Sequence, residues 1–472
     1  MQKAKTFTDG SIFKALIALS IPVVFSNILQ SAYQLVDTFW VGRLGAQAVA
    51  AVSLSFPIIF LMFAVGGGLT IAGSIMVAQS IGAKEIKRAN HIAGQTLLMI
   101  LAIVIPLTII GISISGPLMK FMGADANVLP LATNYLQVSF IGLIFVFGFF
   151  AFQALLRGVG DVKTPIYIVL GTVILNSILD PLFIFGYGPI PGFGVAGAAG
   201  ATVLTQAIAT IIGLFILFSG KYGIHLKLNE FKPDKELIMK MFKLGLPASI
   251  EQSMRALGFT VMTILVAGFG TSVIASYGIG TRILSFVIIP AIGLSMATST
   301  IVAQNIGAGK LRRAEQTANL SAIIGFVSLT IIGVLAFVFA ENIASVFITG
   351  DPHALEGSVT FVKVMALTFG FIGMQLSLAG AFQGSGNTFA SMILTVISVW
   401  VLQFPIAYIL SHTSGFNEFG VWIAFPVANI IMAIVTILWF KSGSWKSKHS
   451  LVTTPLEDKV IKESIIEEGI NN

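Results

Sequence analysis

An amide and a carboxylate lie four residues apart inside the apolar stretch PIYIVLGTVILNSILDP, residues 165–181. At 3.6 residues per helical turn, Asn176 and Asp180 project from the same face of a helix. Their apolar neighbours predict a helix with no water-facing side, where a carboxylate is costly unless it is partnered or used. This pair is therefore the first candidate for a functional site.

A second acid, Asp37, is predicted to lie at the same depth. Asp37 follows Pro22 by fifteen residues and Asp180 follows Pro165 by the same interval, which places each aspartate about 22 Å along its helix. Two helices that run in the opposite direction bring a tyrosine and a threonine close to this level. The expected cluster of oxygen donors consists of Asp37, Asn176, Asp180 and Thr202, with Tyr135 as a further candidate.

This cluster suits the binding of a cation. Two carboxylates close together in a low dielectric cannot both stay ionised cheaply, so they should take up a proton, a Na⁺ or an organic cation. These occupants exclude one another by charge, which is what an antiporter requires. Asp37, Asn176, Asp180 and Thr202 together would form a Na⁺ site, but each carboxylate can also take a proton. The alternative is that each aspartate only bonds a neighbouring hydroxyl group.

The composition places these residues in a membrane protein. Of the 472 residues, 56% are hydrophobic and only 10% are charged, whereas soluble domains carry roughly a quarter charged residues. The net charge of +7 does not indicate nucleic-acid binding, because the basic residues fall at the ends of apolar segments. The absence of cysteine excludes disulfides and thiolate metal sites. The five histidines lack ligand spacing, so we expect no cofactor and no enzymatic activity.

The predicted fold class is an all-α polytopic membrane protein with twelve transmembrane helices. The expected spans lie near residues 14–41, 46–81, 90–115, 127–156, 164–187, 194–219, 238–268, 271–305, 314–340, 355–382, 388–411 and 419–441. Lysine and arginine cluster before the first span and after every second one. By the positive-inside rule, both termini are expected in the cytoplasm.

The chain also repeats itself, which predicts two related lobes. VAQSIGAKEIKRA begins at Val77, and VAQNIGAGKLRRA begins 225 residues later at Val302. Such a repeat contains six helices, so both halves enter the membrane in the same orientation, as in parallel-repeat transporters. The predicted domains are an N-lobe (1–219), a cytoplasmic linker (220–237), a C-lobe (238–441) and a disordered cytoplasmic tail (442–472).

The second lobe offers a different polar pair. Glu251 and Arg255 lie four residues apart early in the seventh span, and an ion pair within the lobe is favoured over a substrate site. Repeat alignment sets Phe404 opposite Asp180 and Met262 opposite Asp37. The cation site is therefore expected in the first lobe only.

Four segments together resemble the multidrug and toxic compound extrusion (MATE) family, in particular its prokaryotic DinF-like branch. They are SIPVVFSNILQSAYQLVDTFWVGRLG in the first helix, LRGVGD after the fourth, LNSILDPLF in the fifth and the paired VAQ-x-IGA segments. The resemblance implies a V-shaped pair of six-helix lobes with alternating access and Pro22 as a bending point of the first helix. It also implies a first-lobe site at Asp37, Asn176, Asp180 and Thr202, with Tyr135 nearby.

The same resemblance implies export of cationic amphipathic drugs in exchange for Na⁺ or H⁺ across a prokaryotic cell membrane. We expect a monomer whose partners are these small molecules and membrane lipid, not nucleic acid. NorM-type members use second-lobe acids in helices seven and ten. Here Arg255 falls near the first of these positions and Lys363 lies in helix ten, so a NorM-type site is not expected.

Other functions remain as alternatives. The nearest is a lipid-linked saccharide flippase, since related exporters share this build. Such a flippase should have a more cationic cavity, for which only Arg255, Arg282 and Lys363 are candidates. A passive channel and an intramembrane aspartyl protease are weaker alternatives, because the duplication favours a transporter.

Overall fold

The computed structural model describes residues 5–189, 191–347 and 351–446, and this part of the chain is organised as helices. The first half contains α1 (Ile12–Gly42), α2 (Ala46–Gly82), α3 (Ile86–Phe121), α4 (Val128–Gly158), α5 (Lys163–Phe185) and α6 (Gly194–Ser219). A short 3₁₀ helix follows at Leu228–Phe231. The second half contains α7 (Lys235–Ala267), α8 (Thr271–Gly307), α9 (Leu311–Val338), α10 (Ala340–Ser345), α11 (Pro352–Ala366), α12 (Phe369–Gly384), α13 (Thr388–Val396), α14 (Phe404–His412) and α15 (Asn417–Lys441).

Long apolar runs form these helices, and glycines end several of them. Helix α5 stops before Gly186 (φ 80°) and α6 before Gly220 (φ 69°), both in the backbone region where a side chain would be strained. Prolines do not interrupt α1, α2 or α8, which continue through Pro22, Pro57 and Pro290. The bounds agree with the predicted spans to within a few residues over most of the chain.

Ten or eleven of the twelve predicted membrane spans are confirmed among the described residues. Among the described residues, ten helices are long and apolar enough to cross a membrane, and one of these is α13–α14 taken together with the π-helical turn Ile397–Gln403 between them. Helices α11 and α12 would add an eleventh span, although they meet at an angle of 55°. Helix α7 forms where the seventh span was predicted, but it is not among these apolar helices. Its sequence carries four lysine or arginine residues and two acids.

The first of two compact units consists of Met1–Thr6 and Phe25–Ser249. Its centre is α4, which packs against α2, α3, α5 and α6. Small residues permit these close contacts: Gly66 of α2 faces the ring of Phe147, and Gly213 of α6 faces that of Phe152. The acids of the predicted site all belong to this unit.

The second unit consists of Phe7–Val24 and Ile250–Asn472. Its core is aromatic. The ring centre of Phe361 lies 4.8 Å from that of Trp422 and 5.6 Å from that of Phe425, and the ring of Tyr277 stacks on Trp422. Helices α8, α9, α12 and α15 pack around this cluster and its neighbours. This unit is therefore held by large apolar side chains.

Helices α1 and α7 each contribute to both units. The change of unit falls between Val24 and Phe25 in α1, and between Ser249 and Ile250 in α7. Each unit boundary falls two residues after a proline, which is Pro22 in α1 and Pro247 in α7. The predicted lobe limits, 1–219 and 238–441, stay predictions.

The end of the described chain is folded. Residues 442–446 form turns, in which the ring of Trp445 stacks 5.0 Å from Phe440 and Lys446 pairs with Glu315 at 2.8 Å. The rest of the tail predicted to be disordered, 447–472, lies outside the described residues.

Candidate functional site

Helix α5 carries Asn176 and Asp180, which the sequence places on one face of a helix. Asn176 donates from Nδ2 to Oδ1 of Asp180 at 2.8 Å, as the one-turn spacing predicts, and both side chains are completely buried. Glycines fix this helix against α6, where Gly197 approaches the backbone carbonyl of Phe183. The carboxylate is thus held inside unit 1.

Helix α1 carries the second acid in the same unit. Asp37 is partly buried. Tyr135 on α4 is buried, and it lines the same cavity as Asp37. The structure therefore places Asp37 and Tyr135 at one cavity, whereas a shared site of Asp37 and Asp180 stays a prediction.

An open cavity of about 140 Å³ lies between α1, α2, α4 and α6. Asp37, Tyr135 and Thr202 line it, whereas Asn176 and Asp180 do not. Most of the remaining wall is apolar and includes phenylalanines of α2 and α4 and a methionine of α2. The cavity thus combines an adaptable apolar wall with one carboxylate and several polar groups.

The sequence did not predict several polar side chains at this cavity, among them Tyr33 and Gln206. Tyr33 is buried, and its hydroxyl lies 2.9 Å from that of Thr205 on α6 and close to Thr202. Gln206 lines the cavity on α6. Each lies four residues from a predicted site residue, Tyr33 from Asp37 and Gln206 from Thr202, so helical spacing was the signal that would have found them.

Several oxygen atoms of this cluster are buried without a hydrogen-bond partner. Within the described part of the chain they are Oδ1 of Asp37, Oδ1 of Asn176, Oδ2 of Asp180 and Oε1 of Gln206. Buried polar atoms are normally paired, so an unpaired group calls for an explanation. An acidic site with spare acceptor atoms has the chemistry to hold a proton or a hard cation.

No group of three or more histidine, cysteine or acidic side chains able to hold a metal ion occurs among the described residues. The cluster offers only two carboxylates, with amide and hydroxyl oxygens as its other donors. A Na⁺ site built from Asp37, Asn176, Asp180 and Thr202 therefore stays a prediction. Pro22 lies inside α1, and its role as a hinge likewise stays a prediction.

The polar pair of the second unit is differently arranged. Glu251 is buried and accepts from Nη2 of Arg255 at 3.2 Å, from Thr395 at 3.4 Å and from Gln383 at 3.2 Å. This network ties α7 to α12 and α13. Since both carboxylate oxygens are engaged, it has the character of a structural ion pair.

Two other basic candidates lie in this half, of which Arg282 on α8 is exposed. Lys363 lies on α11, with its amino group 5.8 Å from the ring centre of Phe337. Such an amino group over an aromatic face makes a cation–π contact.

The duplicated apolar helical halves define a multi-pass integral membrane protein. The MatE family model matches residues 22–182 and again residues 247–409, two segments whose starts are separated by the repeat interval. Since these matches cover more than half of the chain, the protein belongs to the MATE family.

Similar proteins support the same assignment. The chain is 30% identical to "Probable multidrug resistance protein YpnP" of Bacillus subtilis (strain 168), over 94% of this chain and 98% of that protein. It is 29% identical to "Probable multidrug resistance protein YoeA" of the same organism, over 93% of this chain and 95% of that protein. A crystal structure of a MATE protein in complex with MaL6 aligns with a TM-score of 0.87 at 26% identity, covering 96% of this chain and 98% of that one.

Proposed function

We propose that this protein is a multidrug efflux antiporter of the prokaryotic cell membrane. It exports cationic amphipathic compounds in exchange for Na⁺ or H⁺ by alternating access, with both termini in the cytoplasm. The relatives named as multidrug resistance proteins support efflux. The observation that carries the coupling is the pair of buried acids, Asp37 and Asp180, each with a carboxylate oxygen that has no partner in the described part of the chain.

The cavity of unit 1 offers both features that such a substrate needs. Apolar and aromatic side chains, among them Phe56, Met62 and Phe63, give a surface that can adapt to different hydrophobic bodies. Asp37 supplies a negative charge at the same wall. A cationic amphipathic compound therefore finds a counter-charge and a hydrophobic wall together.

Exchange follows from competition for this charge. When Na⁺ or H⁺ neutralises Asp37 and Asp180 from the outside, the site loses its attraction for an organic cation, which is released. The inward gradient of the coupling ion then drives the cycle, since one charge moving through 100 mV is worth about 2.3 kcal/mol. Pro22 would serve as the point at which α1 bends.

Neutralising the acids one at a time tests this mechanism. We expect Asp37→Asn and Asp180→Asn each to reduce efflux of a fluorescent organic cation from whole cells by at least roughly tenfold, at equal protein level, because a lost charge removes the coupling site. Glu251→Gln, in the other unit, is the control and should retain most of the export. Wild-type export by both aspartate variants would overturn the assignment, and loss of export in the control alone would move the site to the second unit.

The coupling ion is decided by a separate measurement. Purified protein in proteoliposomes, given a Na⁺ gradient or a pH gradient in turn, should accumulate or release the labelled cation under only the gradient that it uses. Asp180→Asn should abolish the response to that gradient. A response to neither gradient would contradict antiport with either ion.

A further inference from the structure

A histidine outside the proposed transport site is held between two carboxylates. His91 lies near the start of α3, and its Nδ1 is 3.1 Å from Oε2 of Glu230. Its Nε2 is 3.5 Å from Oδ2 of Asp234. Both acids belong to the segment that connects α6 to α7, and all three residues lie in unit 1.

The two contacts are favoured to different degrees by the neutral and the charged imidazole. A neutral imidazole has one N–H donor and one bare acceptor nitrogen, so it can satisfy only one of the two carboxylates. The other carboxylate would then face a lone pair. Only the imidazolium form donates to both, and histidine is the side chain that ordinarily changes charge near neutral pH.

A second set of contacts fastens the same segment without any charge. Gln95 is buried one turn further along α3 and donates to the backbone carbonyls of Glu230 and Lys232 at 2.7 and 2.8 Å. Its carbonyl oxygen accepts from the backbone N–H of Asp234 at 3.0 Å. These bonds do not depend on pH in the neutral range, so the segment has one fixed anchor and one titratable anchor.

Asp234 is suited to remain an anion in this arrangement. The backbone N–H of Leu237 bonds its side chain at 3.0 Å and, with a smaller effect from His91, holds the pKa of Asp234 below its usual range. The other ionisable groups at this end of the surrounding elements are Lys84, Glu85, Lys87, Arg88, Arg157, Lys221, Tyr222, His225, Lys227, Lys232, Lys235 and Glu236. Of these, Glu85 and Arg88 pair with each other at 3.8 Å.

The internal repeat supplies a comparison for this contact. The residue that corresponds to Asp234 in the other half is Asp9, since both precede their repeat-related prolines by thirteen residues. Asp9 is bound by Lys310 at 2.7 Å, and its backbone carbonyl accepts from Arg313 at 3.1 Å. Asp9 in unit 2 thus contacts lysine and arginine, which keep their charge at neutral pH. Asp234 in unit 1 instead contacts a histidine, which can lose its charge.

We propose that His91 is a proton-binding latch that fastens the connecting segment and the start of α7 to α3. With a proton bound, the imidazolium ties Glu230 and Asp234 to α3. When the proton leaves, one of these contacts is lost and the segment is held by Gln95 alone. Helix α7 continues from unit 1 into unit 2. The protonation of His91 therefore changes the mobility of the N-terminal end of α7 relative to α3. Any effect on export rests on the proposed function.

The latch can be measured on the purified full-length protein without transport. The natural chain has no cysteine, so a single nitroxide label can be placed at Leu228→Cys, a position whose side chain is 83% exposed. We expect the mobile fraction in its electron paramagnetic resonance spectrum to rise roughly threefold to tenfold from pH 5.5 to 8.5, the range expected for a partly exposed charged contact.

Variants separate the latch from general loosening. His91→Arg, a permanent cation, should remove the pH step and stay at the low-mobility level, whereas His91→Gln should remove it and stay at the high-mobility level. Gln95→Ala should raise mobility at every pH. A matched label at Ser11→Cys, an exposed position two residues after Asp9 in unit 2, should show no step in this range.

The proposal is overturned if the wild-type label at position 228 shows no pH step, or if the step persists in His91→Arg. If His91→Gln does not fold, the proposal is tested by whether the pH step of the wild-type protein is lost in His91→Arg. Loss of export in Asp37→Asn with an intact pH step would bear on the proposed site alone, so the two failures are distinguishable.

Discussion

At the scale of single residues, the acids inside the two units differ in how completely their carboxylate oxygens are hydrogen-bonded. In unit 1, Asp37 and Asp180 each keep one carboxylate oxygen without a partner in the described chain, although burying a polar atom in this way is costly. In unit 2, Glu251 is surrounded by donors from three helices. The proposed cation site therefore falls on the acids with spare oxygens, whereas Glu251 ties its helices together.

This contrast predicts unequal effects when the ion pair of unit 2 is broken. The side chain of Glu251 is 4% exposed and that of Arg255 is 34% exposed, so the arginine can reach water if its partner is removed, whereas the glutamate cannot. Arg255→Met should therefore destabilise the protein by about 3 kcal/mol, and Glu251→Gln by about 1 kcal/mol. Thermal unfolding followed by intrinsic tryptophan fluorescence checks the order, and equal losses would show that the carboxylate is not buried as described.

At the scale of helices, close packing decides where the acids lie. The sequence GFGVAG, residues 192–197, satisfies a nucleotide-binding pattern, yet it joins α5 to α6 in an all-helical surrounding. Its glycines let the two helices approach, with Gly197 against the carbonyl of Phe183, three residues after Asp180. The pattern therefore serves helix packing and, through it, the placement of the carboxylate.

Two neighbouring glycines of α6 provide a matched test of this packing. A methyl group at Gly197 would collide with the backbone of Phe183. A methyl group at Gly200 would lie 3.7 Å from the ring of Phe183, which is an ordinary van der Waals contact. We expect Gly197→Ala to lower the yield of folded, export-competent protein severalfold because backbone cannot move aside as a side chain can. Gly200→Ala should behave like the wild type in size-exclusion profile and export.

If both substitutions are tolerated equally, α5 and α6 do not approach as closely as the structure shows. If Gly197→Ala folds normally but loses export, the displacement of Asp180 rather than folding is the cause. Folded yield and export are therefore measured on the same preparations.

At the scale of the whole molecule, charge and duplication act together. The MatE family model matches the chain twice, at 22–182 and 247–409, and the basic residues cluster in alternate loops. By the positive-inside rule this charge distribution predicts the direction in which each helix crosses the membrane. The segment that carries Glu230 and Asp234 is then expected in the cytoplasm, and the loop between α5 and α6 outside.

Labelling of intact cells tests this orientation. The side chains of Leu228 and Tyr187 are 83% and 76% exposed, so single cysteines at either position should be accessible from the side that they face. We expect a membrane-impermeant maleimide to label Tyr187→Cys in intact cells, and Leu228→Cys only after permeabilisation. The reverse pattern would mean that the predicted topology is inverted.

The sequence by itself determined the helical class, the internal repeat and the candidate acids. Apolar run length, the 225-residue interval and four-residue spacing are local or periodic signals, and they also identified the bond between Asn176 and Asp180. Only the tertiary structure decided which side chains share the cavity and which acids lack partners, because these depend on how different helices face one another. The latch at His91 belongs to the second kind, since its three residues come from segments about 140 positions apart that no sequence period connects.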